Sequence, residues 1–463
     1  MLKAIKGGTN LITCRLARLT QTLNKKSPSR RRLHTAGYYA DVIPFSPVKA
    51  DGAYLFDQKG RRVLDMNSAY GAARWGHNPT AVVHALNKQM LQMTLPSRAF
   101  QNSQIETYSK QLHDIYHDVL KCSQDELIQT GYKLGGGDAI DFSIKLAMRY
   151  GHEVLGINDG EQIIVFAGGD DLFNGRILSA LPPARLTEKN EMTFGFGQLK
   201  HPNKRLVAFN NIEELNVLFN DPIIKHRICA VLVEPILGEG GVQPASYEFL
   251  SKIQEHCNNS GALFIADEVQ TTHATGAWSA FKTDNYDGIQ PDVAVAAKAI
   301  SAGVYPLSTI SARASVMSIM RPGSDGSTFA ASPPAITAGL ATMQMINQYK
   351  LFDKLNIISR YTWFSLNQLK LTQPEYIQDI RGLGAMLGVE VTSEALAKEI
   401  KSMMLTMSDD NYGVDGFAVK FTRGTTLRLS LNSRMTTDDI DYFVNALRQI
   451  FIKIDSNVNM KAK

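Results

Sequence analysis

An α/β fold built on a mostly parallel sheet is what this sequence predicts, and three observations predict it. Four short apolar runs, at 162–167, 228–233, 262–265 and 293–297, alternate with segments of helical spacing such as 138–150 and 247–256. Two of the runs lead into charged residues, Asp267 with Glu268 and then Lys298, where open α/β sheets hold their ligands. Asp267 also precedes Lys298 by 31 positions, room for one crossover between adjacent parallel strands. With 463 residues, the chain is long enough for two or three subdomains.

Charge is distributed unevenly. Residues 1–40 hold nine Lys or Arg and no acid, which leaves 40 basic against 44 acidic residues, a formal −4, in a chain of net +5. An acid-free, Arg-bearing amphipathic start has the profile of a mitochondrial transit peptide, here expected over 1–36, with the matrix as destination. The rest shows no second basic patch for nucleic acid and no apolar run long enough to span a bilayer. Cys14, Cys122, Cys229 and Cys257 are widely spaced and form no zinc or disulfide framework.

In chain order, 53–56 and 62–66 bracket the 57–60 turn as a hairpin, and the small-residue stretch 68–73 reads as a turn. Helical spacing marks 79–93 and 104–119. A strand at 126–129 then leads through the glycine-bearing turn 130–137 into a helix at 138–150. Glycines opening a helix after a strand can form a phosphate cup from free N–H groups, which makes Gly136 and Gly137 candidates. The motif GxGxxG of dinucleotide sites is absent. Beyond the strand at 228–233, the turn 234–241 and a strand at 307–311 follow. A helix at 335–349 leads to strands at 378–381 and 385–391, a helix at 393–404, a strand at 426–430 and a last amphipathic helix at 437–452.

Lys298 is walled by alanines and valines, so desolvation is expected to favour its neutral, nucleophilic amine. A carboxylate at the neighbouring strand end, Asp267, completes what a pyridoxal phosphate site needs. The acid keeps the ring nitrogen protonated while the amine carries the aldehyde. Arg428, inside TLRLS, is suited to a bidentate grip on a carboxylate.

These segments together resemble the class III, fold type I, pyridoxal-phosphate-dependent aminotransferases from about Tyr38 to the C-terminus. The pieces that carry the resemblance are SAYGAARWGH at 68–77, SRAF at 97–100, FNGRILSA at 173–180, VEPILGEGGV at 233–242, LFIADEVQT at 263–271, AKAISAGVYP at 297–306, DGSTF at 325–329 and LRLS at 427–430. The resemblance implies a large cofactor domain over 96–345, with a small α+β domain built from 37–95 and 346–463. It makes Lys298 the Schiff-base lysine and Asp267 the partner of the pyridine nitrogen. Val269 and Phe173 would enclose the ring, Gln270 would meet its hydroxyl, and Ser327 with Thr328 would reach the phosphate of a neighbouring subunit, which implies a homodimer. Glu239 would pair with Arg428 and mask it, Arg176 would hold the second carboxylate of an oxo acid, and Tyr39 and Tyr70 would help select the amine. The implied reaction moves the δ-amino group of ornithine to 2-oxoglutarate, giving glutamate 5-semialdehyde and glutamate.

Four departures from the pattern are visible: about four extra residues between Thr130-Gly131 and Asp138, Asn174 in place of His or Trp, TTHATG at 271–276 without the usual arginine, and Ala330–Pro334 in place of Gly-Gly-Asn-Pro. They keep two other readings open. One is a catalytically impaired paralogue retained as a structural or binding protein; the other is an acetylornithine- or 4-aminobutyrate-type aminotransferase.

Overall fold

The computed structural model describes residues 43–97, 99–168, 191–194, 197–200, 203–408 and 413–461. The chain divides into two units, Met1–Ser46 and Pro47–Lys463, and the second carries all the helices and strands of the described residues.

Its strands, in chain order, are β1 (Lys49–Asp51), β2 (Tyr54–Phe56), β3 (Arg62–Asp65), β4 (Ile128–Lys133), β5 (Ile163–Ala167), β6 (Glu191–Phe194), β7 (Gly197–Lys200), β8 (Asn203–Val207), β9 (Ile228–Val233), β10 (Ile236–Leu237), β11 (Gln243–Pro244), β12 (Leu263–Glu268), β13 (Val293–Ala296), β14 (Ser308–Arg313), β15 (Ile377–Leu383), β16 (Met386–Val391), β17 (Phe417–Ala418), β18 (Lys420–Thr422) and β19 (Thr426–Ser430). Seven of them form the central sheet, in the order β4-β14-β13-β12-β9-β5-β8. β14 alone runs against its neighbours.

The apolar runs are continuous because both faces of this sheet are covered. Along β5, Ile163, Val165 and Ala167 belong to one core, while Ile164 and Phe166 belong to another, where they meet the helix Gly136–Glu153. The alternation sends successive side chains to opposite cores. A third core joins both ends of the unit: Leu64 of β3, Leu429 of β19 and Phe443 of the last helix lie in one cluster, and β17 extends the β1-β2-β3 sheet.

Several expected elements are found close to their predicted limits. The helix at 437–452 runs further, over Thr437–Lys461, and that at 335–349 opens earlier, at Pro333. Both Pro333 and Pro334 fit there because the first helical N–H groups have no intrahelical acceptor. β8, β18 and the 22-residue helix Leu351–Thr372 are elements that the sequence reading did not include.

The β15-β16 hairpin orients the C-terminal sheet. Leu383 pairs with Met386, so Gly384 and Ala385 form the turn, and the Ala385 N–H donates to the carbonyl of Ala274 at 2.7 Å. Gly384 has φ +57°, and a Cβ there would stand 2.4 Å from the Ala274 oxygen. Gly384→Ala combines backbone strain with a clash against backbone, so a loss of about 2–3 kcal/mol is expected, read as a lowered thermal unfolding midpoint.

Candidate active site

The ends of β4, β12 and β13 converge on a cavity of about 400 Å³ lined by Leu134, Gly135, the helix start at Gly136 and Gly137, Val269 and Lys298. The parallel register pairs Asp267 with Val295 and Glu268 with Ala296, so Lys298 lies two residues past the strand adjoining Asp267. Lys298 has φ +53° after the fully extended Ala297, an unusual conformation for a side-chain-bearing residue that turns the chain sharply at the strand end. Lys298 Nζ is buried.

The two acids at the end of β12 separate by parity. Asp267 is 5% exposed, shares its face with Ile265 and Val269, and accepts the Val269 N–H at 3.0 Å. Glu268 points to the opposite core, where Ser279 Oγ donates to it at 2.6 Å and the Ala280 N–H at 2.7 Å. Burial pushes its carboxyl up to about 7, although those two hydrogen bonds favour the ion. Glu268 is therefore a structural acid.

The glycine turn corrects the sequence reading. Thr130–Lys133 pair with Ser311–Ser308 of β14, so the strand continues through the segment expected to form a long cup. β14 supplies a ladder partner at every one of these positions, and Gly131 lies against the Phe142 ring, which a Cβ there would approach to 3.5 Å. β4 takes in Thr130–Lys133, and only Leu134 and Gly135 connect it to the helix that begins at Gly136. Gly135 caps that helix, its N–H donating to Asp138 Oδ2 at 3.1 Å and its carbonyl accepting from Ser308 Oγ at 2.9 Å. A Cβ on Gly136 would stand 2.5 Å from Val269 Cγ1. The helix start thus meets Val269 with no space for a side chain, and Gly137 lies in the same first turn, where N–H groups lack intrahelical acceptors. Such a cradle, with an apolar wall and a buried amine, and with the Asp267 carboxylate on the adjoining strand, suits a flat heterocycle bearing a phosphate.

Gln270 is buried, and its amide lies so close to Gly238 that a Cβ there would sit 2.1 Å from Gln270 Oε1. Gly238 belongs to the connection between β10 and β11, which form a hairpin where a simple turn was expected over 234–241. Glu239 lies in that connection, with its Oε1 2.6 Å from Arg428 Nη1, and Arg428 is fully buried. Arg381 and Arg423 hold this connection from the C-terminal sheet, Arg381 Nε donating to the Gly241 carbonyl at 2.8 Å and Arg423 Nη1 to that of Gly240 at 3.4 Å. Tyr70 sits in a short turn whose residues Ser68, Ala69 and Tyr70 all have positive φ, and its ring lies 4.9 Å from the Arg428 guanidinium carbon.

Ser327 and Thr328 do not reach the Lys298 cavity within this chain. They line a separate cleft with Leu95, Pro96 and Ser97, beside Asp325, which is ion-paired to Lys133 and, at 3.2 Å, to Lys145. Tyr39, Phe173, Asn174 and Arg176 lie outside the described residues. Among the described residues, no cluster of His, Cys, Asp and Glu could hold a metal ion.

Arg74 was not singled out by the sequence reading. It is fully buried, and its Nη1 donates to the carbonyls of Ala385 at 3.0 Å and Leu431 at 2.9 Å, joining the Tyr70 segment to the hairpin turn and to the end of β19. Burial lowers its guanidinium to about 9. His273, in the turn that lacks the expected arginine, is pushed down to about 3 by burial and by Arg74. A guanidinium from elsewhere in the chain therefore acts on that turn. Only a sidedness that the loop sequence does not carry could have revealed it.

Fold and site together define the class, the fold type I transferases, whose cofactor is pyridoxal 5′-phosphate. The chain belongs to the class III aminotransferases, whose family model, "Aminotransferase class-III", matches residues 37–451. It is similar to an ornithine aminotransferase of Bacillus subtilis (strain 168), 29% identical over 410 residues that cover 88% of this chain and 93% of that one. A mitochondrial ornithine aminotransferase of Arabidopsis thaliana is 30% identical over 438 residues, covering 92% of this chain and 86% of that one. The crystal structure of an acetylornithine aminotransferase from Elizabethkingia anophelis matches with a TM-score of 0.74 at 26% identity, covering 91% and 97% of the two chains.

The raised Glu268 carboxyl makes stability depend on pH. Between pH 4.5 and about 7 the folded chain keeps a proton that the unfolded chain has released, so this residue's contribution to stability falls as pH rises through that window. Glu268→Gln retains an acceptor and removes the ionisation. The variant is expected to gain on the natural protein by up to about 3 kcal/mol from pH 4.5 to pH 8, measured as the pH dependence of denaturant unfolding. Parallel curves for the two proteins would contradict the assignment.

Proposed function

We propose that this chain is an ornithine aminotransferase of the mitochondrial matrix, acting as a homodimer with 2-oxoglutarate as acceptor. The observation that carries the reading is the Glu239–Arg428 pair beside Tyr70: a buried guanidinium suited to a carboxylate, covered by one carboxylate of the chain itself. A diamine donor needs that positive charge hidden, and a dicarboxylate acceptor needs it available. One glutamate with a quarter of its side chain exposed can serve both half-reactions by staying or withdrawing. The names of the Bacillus and Arabidopsis relatives support the same reading. The acid-free start over 1–36 supports the matrix.

In this proposal the N–H groups at Gly136 and Gly137 would hold the cofactor phosphate. Val269 would lie against the ring, Gln270 beside its hydroxyl and Asp267 at its nitrogen, with Phe173 on the other side. Ser327 and Thr328 would complete the phosphate site of the second subunit. Once bound, the cofactor supplies an electron sink for the carbon that loses its proton. Lys298 Nζ, buried at the strand end, would take that proton from ornithine Cδ and pass it on rather than lose it to water. Tyr39 and Tyr70 would orient the donor, and Arg176 would hold the second carboxylate of the acceptor.

A second reading has an observation of its own, since the Elizabethkingia structure is that of an acetylornithine enzyme. Ornithine and N-acetylornithine, supplied separately with 2-oxoglutarate, distinguish the two. Glutamate 5-semialdehyde from ornithine is expected, and product from the acetylated donor alone would refute the substrate assignment. Lys298→Ala is expected to abolish turnover and the visible absorbance of the lysine-bound cofactor. A natural protein showing neither with added cofactor would be the impaired paralogue.

A further inference from the structure

β18 is the edge strand of the C-terminal sheet, and its register sets Lys420 directly opposite Arg428. Cross-strand partners share a face with their Cβ atoms about 5 Å apart, and like charges so placed repel. Both cations also meet the same ring: Lys420 Nζ lies 4.8 Å from the centre of Tyr70 and donates to its hydroxyl at 2.9 Å, and the Arg428 guanidinium carbon lies 4.9 Å from that centre. Nearby charges on this sheet are compensated. Arg381 pairs with Glu390 at 2.7 Å, and Arg428 with Glu239. Lys420 has no carboxylate in ion-pair contact among the described residues, and Arg428 Nε and Nη2 are buried without a hydrogen-bond partner among them. Of the two opposed cations only Arg428 has a carboxylate partner among the described residues, at a place where a neutral residue at 420 would remove the repulsion.

We infer that Lys420 is a specificity-determining residue, forming with Arg428 a two-cation face that selects the dicarboxylic partner of the reaction over cationic amine donors. The inference deepens the function proposed above and rests on it for the identity of the two substrates. With Glu239 withdrawn, a dicarboxylate meets the Arg428 guanidinium and the Lys420 ammonium opposite it on the next strand, both supplying N–H donors to its oxygens. A diamine donor meets the same ammonium as repulsion. Lys420 therefore acts on the two substrates with opposite sign, which separates its role from a purely structural one.

Lys420→Met keeps the apolar stem and removes the charge, and Lys420→Arg retains the charge. Glutarate, a dicarboxylate that cannot accept an amino group, reports binding without chemistry by calorimetry on the cofactor-loaded enzyme. Lys420→Met is expected to raise the glutarate Kd and the KM for 2-oxoglutarate about tenfold, with the KM for ornithine unchanged or lower, and Lys420→Arg is expected to restore all three. An unchanged glutarate Kd, or an equal rise in both KM values, would overturn the inference. Tight glutarate binding that Lys420→Met weakens, by a natural protein that does not use ornithine, would refute the proposed donor and leave the two-cation face standing.

Discussion

The parallel register between β12 and β13 is the constraint on which the rest of the site depends. It aligns Asp267 with Val295 and Glu268 with Ala296, so that an acid and an amine emerge at neighbouring strand ends. A shift of one residue in a strand would exchange the faces of Asp267 and Glu268. The acid beside Val269 would then point into the core beneath Ser279, and the one shaped for that core would lie on the Val269 side. Register is held by burial on both sides, because Phe264 and Ala266 belong to one core and Leu263 and Ile265 to the other.

The second half of the site is assembled from distant segments. Arg428 lies on the C-terminal sheet, Glu239 between β10 and β11, and Tyr70 in a turn near the start of the unit. Arg74, Arg381 and Arg423 join these segments through backbone carbonyls. Guanidinium groups suit that work, since each presents several fixed donors and keeps its charge when buried. The region is rich in cations and short of acids, a composition that favours anionic ligands over further internal pairing.

Much of the central sheet was legible because its strands are buried on both faces and read as unbroken apolar runs between helical segments. Where that signal weakened, the reading failed. Thr130–Lys133 mixes polar residues with a glycine and so looks like a turn, yet it becomes strand because β14 offers it a full ladder. Edge strand β18 is short, with one half-buried lysine, and leaves little pattern. The 271–276 turn does lack an arginine, but that the Arg74 guanidinium acts on its His273 left no signal in the loop.

By itself the sequence determined which chemical groups end the strands and in what order, because period and burial are local properties of the chain. It identified Lys298 and Asp267 as neighbours through the length of one crossover. Only the tertiary structure decided which acid of the pair lies on the Val269 side and how short the glycine turn is. It alone fixed the register that sets Lys420 against Arg428 and brought both to Tyr70, for such sidedness arises from contacts between segments hundreds of residues apart, such as Tyr70 with Lys420.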